Sequence, residues 1–275
     1  MALSSLLTVI SRLTLLWLLL CPVSLFAQVP ATASIAVFED HDKYIEASRS
    51  YGTAWGLIKL AADHQGIALQ PQSTSWSAAM NRLQAQRVHL IFGAFQTAER
   101  QAWGTFSLPL SEEGSAIFTT PDNPIDRIDD IDMATATIGV SANSVQDEIA
   151  RELGFVNVYA STARPQLYSM LEEGRLDYLL FGQSIVAYYC ANFTATPHEA
   201  CMKQIGPALL PSWVRVMAAS DNRIAKQLIA SLNEGLMAIR HTQAARDIFS
   251  KYPNAALRHK QWLTQLKQEA GSLPH

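Results

Sequence analysis

The chain is expected to fold as an α/β protein built from two similar lobes, and three observations carry that expectation. The sequence echoes itself: Leu83-x3-Arg87-Val88-His89-Leu90-Ile91-Phe92-Gly93 returns, one residue longer, as Leu171-x3-Arg175-Leu176-Asp177-Tyr178-Leu179-Leu180-Phe181-Gly182. Both copies read as a helix end, a short apolar strand of the sheet-core type and a terminal glycine. Each copy also follows a strand candidate (Ile67 to Gln70, Val156 to Tyr159) and an amphipathic helix, with Trp76, Ala79, Met80 and Leu83 on one face of the first, and Leu167, Met170 and Leu171 on one face of the second. A strand-helix-strand unit favours parallel pairing with a right-handed crossover. Finally, 275 residues that are 49% hydrophobic and 16% charged suffice for one large or two modest packed domains.

Taken in order, residues 1–27 form a segment of their own. Arg12 precedes LTLLWLLLCPVSLFA, a stretch short for a membrane span and followed by small and polar residues. This reads as a signal peptide cut after Ala27, which removes Cys21; Leu20 lacks the small size that a lipid-anchoring site prefers before its cysteine. Ser34 to Phe38 is a first strand. Tyr51-Gly52-Thr53 reads as a turn and N-cap opening a helix through Leu57, Ile58, Ala61 and Ala62, with Gly66 ending it. The strand Val88 to Phe92 opens at Gly93 onto its carboxyl edge, where ligands of open α/β sheets bind. Pro121 to Asp132 is a polar, acidic connector. Thr137 to Val140 is the matching strand of the second half, and Ser144 caps the helix that follows, with Asp147 three residues on and Gly154 closing it. Val214 to Ala219 returns as a strand, followed by a long helix from Ile224 through Ile239.

Charge and motifs narrow the functional classes. Loss of residues 1–27 removes only Arg12, leaving 20 basic against 24 acidic groups and no clustered basic stripe, so nucleic acid is not an expected partner. Cys190 and Cys201 bracket a short segment, and in an exported chain a local disulfide is the expected state. His198 between them does not complete a zinc-like set. No Gly-x-Ser-x-Gly, His-Glu-x-x-His or phosphate-binding glycine loop is present, and the seven histidines form no metal-like cluster; no catalytic residue, metal or cofactor is expected. The adjacent pairs Glu112 with Glu113 and Glu172 with Glu173 read as solvated.

Arg100 is the first candidate for a ligand contact. It follows a polar turn beside the sheet edge at Gly93, where a guanidinium holds a carboxylate through two parallel charge-assisted hydrogen bonds; pairing with Glu99 or Glu113 is the plain alternative. The whole segment, with Gly93, then Thr97 and Arg100, then Phe106, Ser107 and Pro109, resembles the hallmark of the bacterial extracellular solute-binding proteins of family 3. That resemblance implies a type II periplasmic-binding-protein fold: two lobes, each a mostly parallel sheet flanked by helices, joined by a two-segment hinge. It places residues 28–109 and 213–275 in lobe one, residues 115–209 in lobe two, and the crossings at 110–114 and 210–212.

The same resemblance assigns roles by position. Arg100 matches the arginine that grips an α-carboxylate. Gly93 lets the backbone approach the ligand or simply ends a strand, and Phe95 replaces a frequent hydroxyl, either stacking on the solute or packing. Asn143 and Ser144 stand where the family has a Gly-Thr pair that closes on the carboxylate from lobe two, at a helix start that favours anions. Gly182 replaces the aspartate that receives an ammonium in many amino-acid binders, leaving Glu39 or Asp40 to supply negative charge and Tyr44 or Trp55 an aromatic wall. Gln183 and Trp213 are weaker candidates. The implied function is a periplasmic, monomeric protein that closes on a small polar or carboxylate-bearing solute and presents it to an inner-membrane ABC permease. A sensor module of the same fold acting in trans on a receptor is the rival, and a dehydratase-like enzyme a more distant one.

Overall fold

The computed structural model describes residues 30–194 and 201–271. The leader with Cys21, and His198, lie outside the described residues. The first lobe is laid down as β1 (Thr32–Phe38), α1 (His41–Ala47), α2 (Arg49–His64), β2 (Ala68–Thr74), α3 (Trp76–Gln84) and β3 (Leu90–Ala94). A short α4 (Ala98–Gln101) and β4 (Gly104–Phe106) lead into β5 (Ser111–Thr119). The second lobe repeats the plan with β6 (Thr137–Ser141), α5 (Val145–Glu152), β7 (Asn157–Ser161), α6 (Arg164–Glu172) and β8 (Tyr178–Gly182). Then follow α7 (Gln183–Phe193), the long β9 (Lys203–Ala219), α8 (Arg223–Ile239), α9 (Gln243–Ser250) and α10 (Ala255–Ala270).

The described strands form one path in the order β2-β1-β3-β9-β5-β8-β6-β7, with β4 also on β9. The repeat seen in the sequence is a topological repeat: β1 pairs in parallel with both β2 and β3, and β6 pairs in parallel with both β7 and β8. The two units are joined through antiparallel strands. β9 pairs with β3 and β4 over Arg215 to Ala219 and with β5 over Lys203 to Val214, and β5 pairs with β8 over Ser115 to Phe118. Between these regions Ser111 to Gly114 pairs with Pro211 to Val214, so a two-stranded ribbon alone carries the sheet from lobe to lobe.

Local chemistry explains most element boundaries. Ser75, Thr97 and Ser144 each accept a bond from the N–H three residues on, as N-caps do, and Gly66 and Gly154 lie just past helix ends with φ of +69° and +96°. The expected start of the second helix needs correction. Tyr51, Gly52 and Thr53 lie inside α2, which begins at Arg49 because Ser48 caps it by accepting from the Tyr51 N–H. The strand expected at Val214 begins eleven residues earlier, at Lys203, since β5 offers it a partner that local sequence does not reveal.

Apolar packing covers both faces of the first sheet. Ile35, Val37, Leu90, Phe92 and Val216 point toward α2 and α8, and Ala36, Ile91, Ala94 and Met217 pack under α3 through Trp76, Ala79 and Leu83. One face of the second sheet is closed by Ile117, Ile138, Val140, Ala150, Phe155 and Leu180. Cys190, on α7, is bonded to Cys201 (S–S 2.03 Å) across an eleven-residue separation. Replacing both cysteines with serine is expected to lower unfolding free energy by about 2–3 kcal/mol, the value for closing a loop of this size in the unfolded chain. Denaturant titration of the two proteins checks this. No described helix is long and apolar enough to cross a membrane.

Candidate functional site

The carboxyl ends of β1, β3, β6 and β8 meet across the ribbon around a cavity that opens to solvent, cavity and opening together enclosing roughly 520 Å3 of empty space. Lobe one lines it with Phe38, Tyr51, Trp76, Gly93, Phe95 and Arg100, lobe two with Ser141, Ser144, Val145, Gln146, Arg164 and Ile185, and β5 adds Glu113. A second, outer hollow, lined by Glu39, Asp40, Tyr44 and Tyr188, shares Trp76, Ser141 and Arg164 with the first.

Gly93 sits at a bulge where the β3–β9 register shifts, with φ +87°. Only glycine takes that conformation without strain, and the bulge turns the chain so that Phe95 and Arg100 both face the cavity. Arg100 is held rigidly. Its backbone N–H donates to Thr97 Oγ1 (3.3 Å), Nη1 donates to the Phe95 carbonyl (3.2 Å), and the guanidinium stands 5.1 Å from the Trp76 ring. The side chain is 3% exposed. Burial pulls its pKa down while Glu148 and Glu99 push it up from a distance, and no described carboxylate, Glu99 and Glu113 included, forms an ion pair with it.

Arg164 is a second cation at the same cavity, and the sequence reading missed it. Its Nε donates to Ser141 Oγ (3.1 Å), Nη1 donates to the Tyr44 hydroxyl (3.1 Å), and its Cζ lies 4.3 Å above the Phe38 ring. It too has no ion pair among the described residues. Arg164 opens α6 as Trp76 opens α3, so the two occupy equivalent positions in the repeat. Alignment of the two halves was the signal that could have found it.

The other expected residues divide between the cavity and its surroundings. Ser144 lines the cavity as the N-cap of α5, its Oγ accepting from the Asp147 N–H (3.3 Å). Asn143 does not line it. With φ +58° it turns its Nδ2 to Ser77 Oγ (2.9 Å) and offers its carbonyl to Trp76 Nε1 (2.9 Å), so it latches lobe two to lobe one. Tyr44 and Glu39 border the outer hollow. Tyr44 is buried and stacks on Tyr188 from lobe two at 3.9 Å, whereas Glu39 is exposed. Asp40 accepts from the Tyr188 hydroxyl (2.5 Å). Trp55 packs against His41 and Phe92, Trp213 lies at a separate hollow under α10, and Gln183 is exposed.

The reading of Glu113 as solvated is overturned. It is 5% exposed, because β5 crosses between the lobes and places alternate residues toward the site: Glu112 faces out and Glu113 in. Ser184 N–H donates to its Oε1 (2.7 Å), the Ser184 hydroxyl donates to Oε2, and Ser48 of lobe one in turn donates to Ser184 Oγ (2.6 Å). Burial raises its pKa, and the bonds from Ser184 oppose that rise.

Behind the cavity, His41 Nδ1 shares a hydrogen bond with the Tyr51 hydroxyl (2.8 Å), and its ring stands at 87° to Trp55, 4.3 Å between centroids. Burial pulls its pKa down to about 4, with Asp42 opposing. The unfolded chain, with the ordinary value of 6.5, therefore binds the extra proton between these limits. Stability due to His41 is complete above pH 6.5 and is lost as pH falls toward 4, by roughly 2 kcal/mol after allowance for residual solvent screening. Urea unfolding at several pH values is expected to give a flatter profile for His41→Gln than for the unmodified chain.

The profile of the bacterial extracellular solute-binding proteins, family 3, matches residues 41–255. The chain belongs to this family. Solved structures agree with the family 3 architecture. An ancestral arginine-binding protein bound to glutamine has a TM-score of 0.67 at 18% identity, over 82% of this chain and 99% of that one. An arginine-, lysine-, histidine-binding protein from the thermophilic bacterium Geobacillus stearothermophilus gives 0.66 at 16%, over 81% and 95%. A histidine kinase sensor domain with similarity to periplasmic binding proteins gives 0.67 at 17%, over 81% and 96%. At such identities the likeness is one of fold: a two-lobed type II periplasmic binding protein. No curated protein is significantly similar to the chain in sequence.

Proposed function

We propose that this family 3 protein is exported to the periplasm, its leader being cut after Ala27, and there closes its two lobes on a small carboxylate-bearing solute, an amino acid or a related compound, for uptake by an inner-membrane ABC permease. One observation carries the reading. A single cavity is lined from both lobes and receives two guanidinium groups, Arg100 from lobe one and Arg164 from lobe two, neither matched by an ion-paired carboxylate among the described residues. Arg100 is buried, with Arg164 partly so, and a buried cation without a counter-ion is costly; an anionic solute supplies what the protein withholds. Arg100 is the carboxylate clamp, Ser144 contributes the start of α5, and the rings of Phe38, Trp76 and Phe95 form apolar walls.

Closure is the signal passed on. Lobe one comprises residues 28–109 and 213–275 and lobe two residues 115–209, and the crossings at 110–114 and 210–212 are the hinge, supported by the ribbon in which Ser111 to Gly114 pairs with Pro211 to Val214. A solute touching both lobes stabilises the closed state by its differential affinity for it. The contacts Trp76–Asn143, Ser77–Asn143 and Tyr44–Arg164 would have to break on opening. The protein acts as a monomer and performs no chemistry on its solute.

A sensor role acting in trans on a receptor is the second reading, favoured by the likeness to the histidine kinase sensor domain. Both readings require binding without turnover. A thermal-shift screen of residues 28–275 against amino acids and organic acids tests them: a solute at about a hundred times its Kd adds roughly 2.7 kcal/mol of stability. Stabilisation by carboxylates supports the proposal, and its absence with every carboxylate tested refutes it. Conversion of a bound solute into product would instead establish an enzyme.

A further inference from the structure

We propose that Glu113 receives a cationic nitrogen of the solute, so that the solute is a zwitterion bearing both a carboxylate and an amine. The inference rests on the reading of the cavity as a carboxylate site and deepens it. Glu113 shares the cavity with Arg100 and Arg164, yet forms no ion pair with either. Positive and negative groups therefore stand apart on the wall of one cavity, the pattern that a molecule carrying separated opposite charges fits.

The donors that hydrogen-bond Glu113 within the protein are neutral: the backbone N–H and the hydroxyl of Ser184. An ionised carboxylate offers about four acceptor positions, so Ser184 does not use them all and a donor from the cavity can be accepted. Room for such a donor is made at Gly182. A Cβ there would stand 2.9 Å from Glu113 Oε1 and 3.9 Å from Gln146 Nε2, so the missing side chain leaves that face of the carboxylate open. Burial raises the pKa of Glu113, as expected for a carboxylate whose counter-charge is not yet present.

The plain alternative is that Glu113 only caps α7, whose N-cap Gly182 has no side chain to accept the Ser184 N–H. Glutamine separates the two roles, since its carbonyl oxygen still accepts that bond while the charge is gone. The experiment is titration calorimetry on residues 28–275 with the twenty L-amino acids and, for each that binds, the same acid lacking its α-amino group. The unmodified protein is expected to prefer the amino acid, and Glu113→Gln to bind it about 30-fold or more weakly while leaving the deaminated acid within about threefold. Glu113→Asp, which keeps the charge but withdraws it, is expected to weaken the amino acid alone and serves should Glu113→Gln not fold. Equal affinity for amino and deaminated acids, or unchanged amino-acid affinity in Glu113→Gln, overturns the inference and leaves the carboxylate reading standing. Failure of both classes to bind the folded protein overturns the carboxylate reading, and the inference with it.

Discussion

Arg100→Ala is expected to weaken binding of a carboxylate solute by roughly 10²–10³-fold, corresponding to about 3–4 kcal/mol from two charge-assisted hydrogen bonds. The effect is large because the site is built in advance. The guanidinium is 3% exposed and fixed by Phe95 and Trp76, so binding requires little ordering of this side chain. Stability is expected to change much less, by about 1 kcal/mol or less, because the bond to the Phe95 carbonyl and the ring contact are lost while an unpaired buried charge is relieved. Arg100→Lys keeps the charge but not the fork, and should fall between the two proteins. Titration calorimetry with any carboxylate that stabilises the protein decides the matter. Unchanged affinity in Arg100→Ala overturns the clamp, and the same measurement on Arg164→Ala tells how much of the anion's hold comes from lobe two.

Trp262→Ala is expected to remove about 3–5 kcal/mol of stability, the range for deleting a large buried aromatic. Trp262 is fully buried on α10, packs against Phe249 at 5.6 Å and donates its Nε1–H to the Pro109 carbonyl at 2.8 Å. Pro109 lies just before β5, so α10 anchors the start of the strand that enters the ribbon. Leu266 and the Arg215–Glu269 ion pair (2.6 Å) extend the same attachment to β9. For a chain of this size the loss corresponds to a melting temperature lower by roughly 10 °C. Trp262→Phe, which keeps the ring volume in part and deletes the donor, should lose about 1–2 kcal/mol. A melting temperature for Trp262→Ala within about 2 °C of the unmodified protein would mean that α10 is not part of the lobe-one core.

Much of the architecture was legible because it is written in local pattern. The helix-strand-glycine echo ending at Gly93 and Gly182 predicted two similar units, and the structure gives both the same strand order. Ser144 as a cap, and Gly66 and Gly154 as helix ends, were readable because capping involves residues three or four apart. Arg100 could be proposed for the same reason: one cation follows a strand end within a few residues; the structure buries it with no ion-paired carboxylate among the described residues. Elements without such signals escaped. α7, rich in Tyr188, Tyr189 and Cys190 and apolar around most of its surface, has weak periodicity, and α10 buries only Trp262 and Leu266 along its length.

The sequence by itself determined the alternation of strands and helices, their division into two repeated units, and the family, because periodicity, caps and the Gly93 to Pro109 segment are properties of neighbours along the chain. The tertiary structure alone decided which side chains share the cavity. Glu113 and Glu112 are adjacent and chemically alike, and only the pairing of β5 with β8 and β9 turns one inward and the other to solvent. Arg164 stands beside Phe38 and Tyr44, residues more than a hundred positions away, because two lobes face each other across a two-stranded ribbon. Charge at a site depends on distance in space and on exclusion of water, and neither is set until the lobes meet.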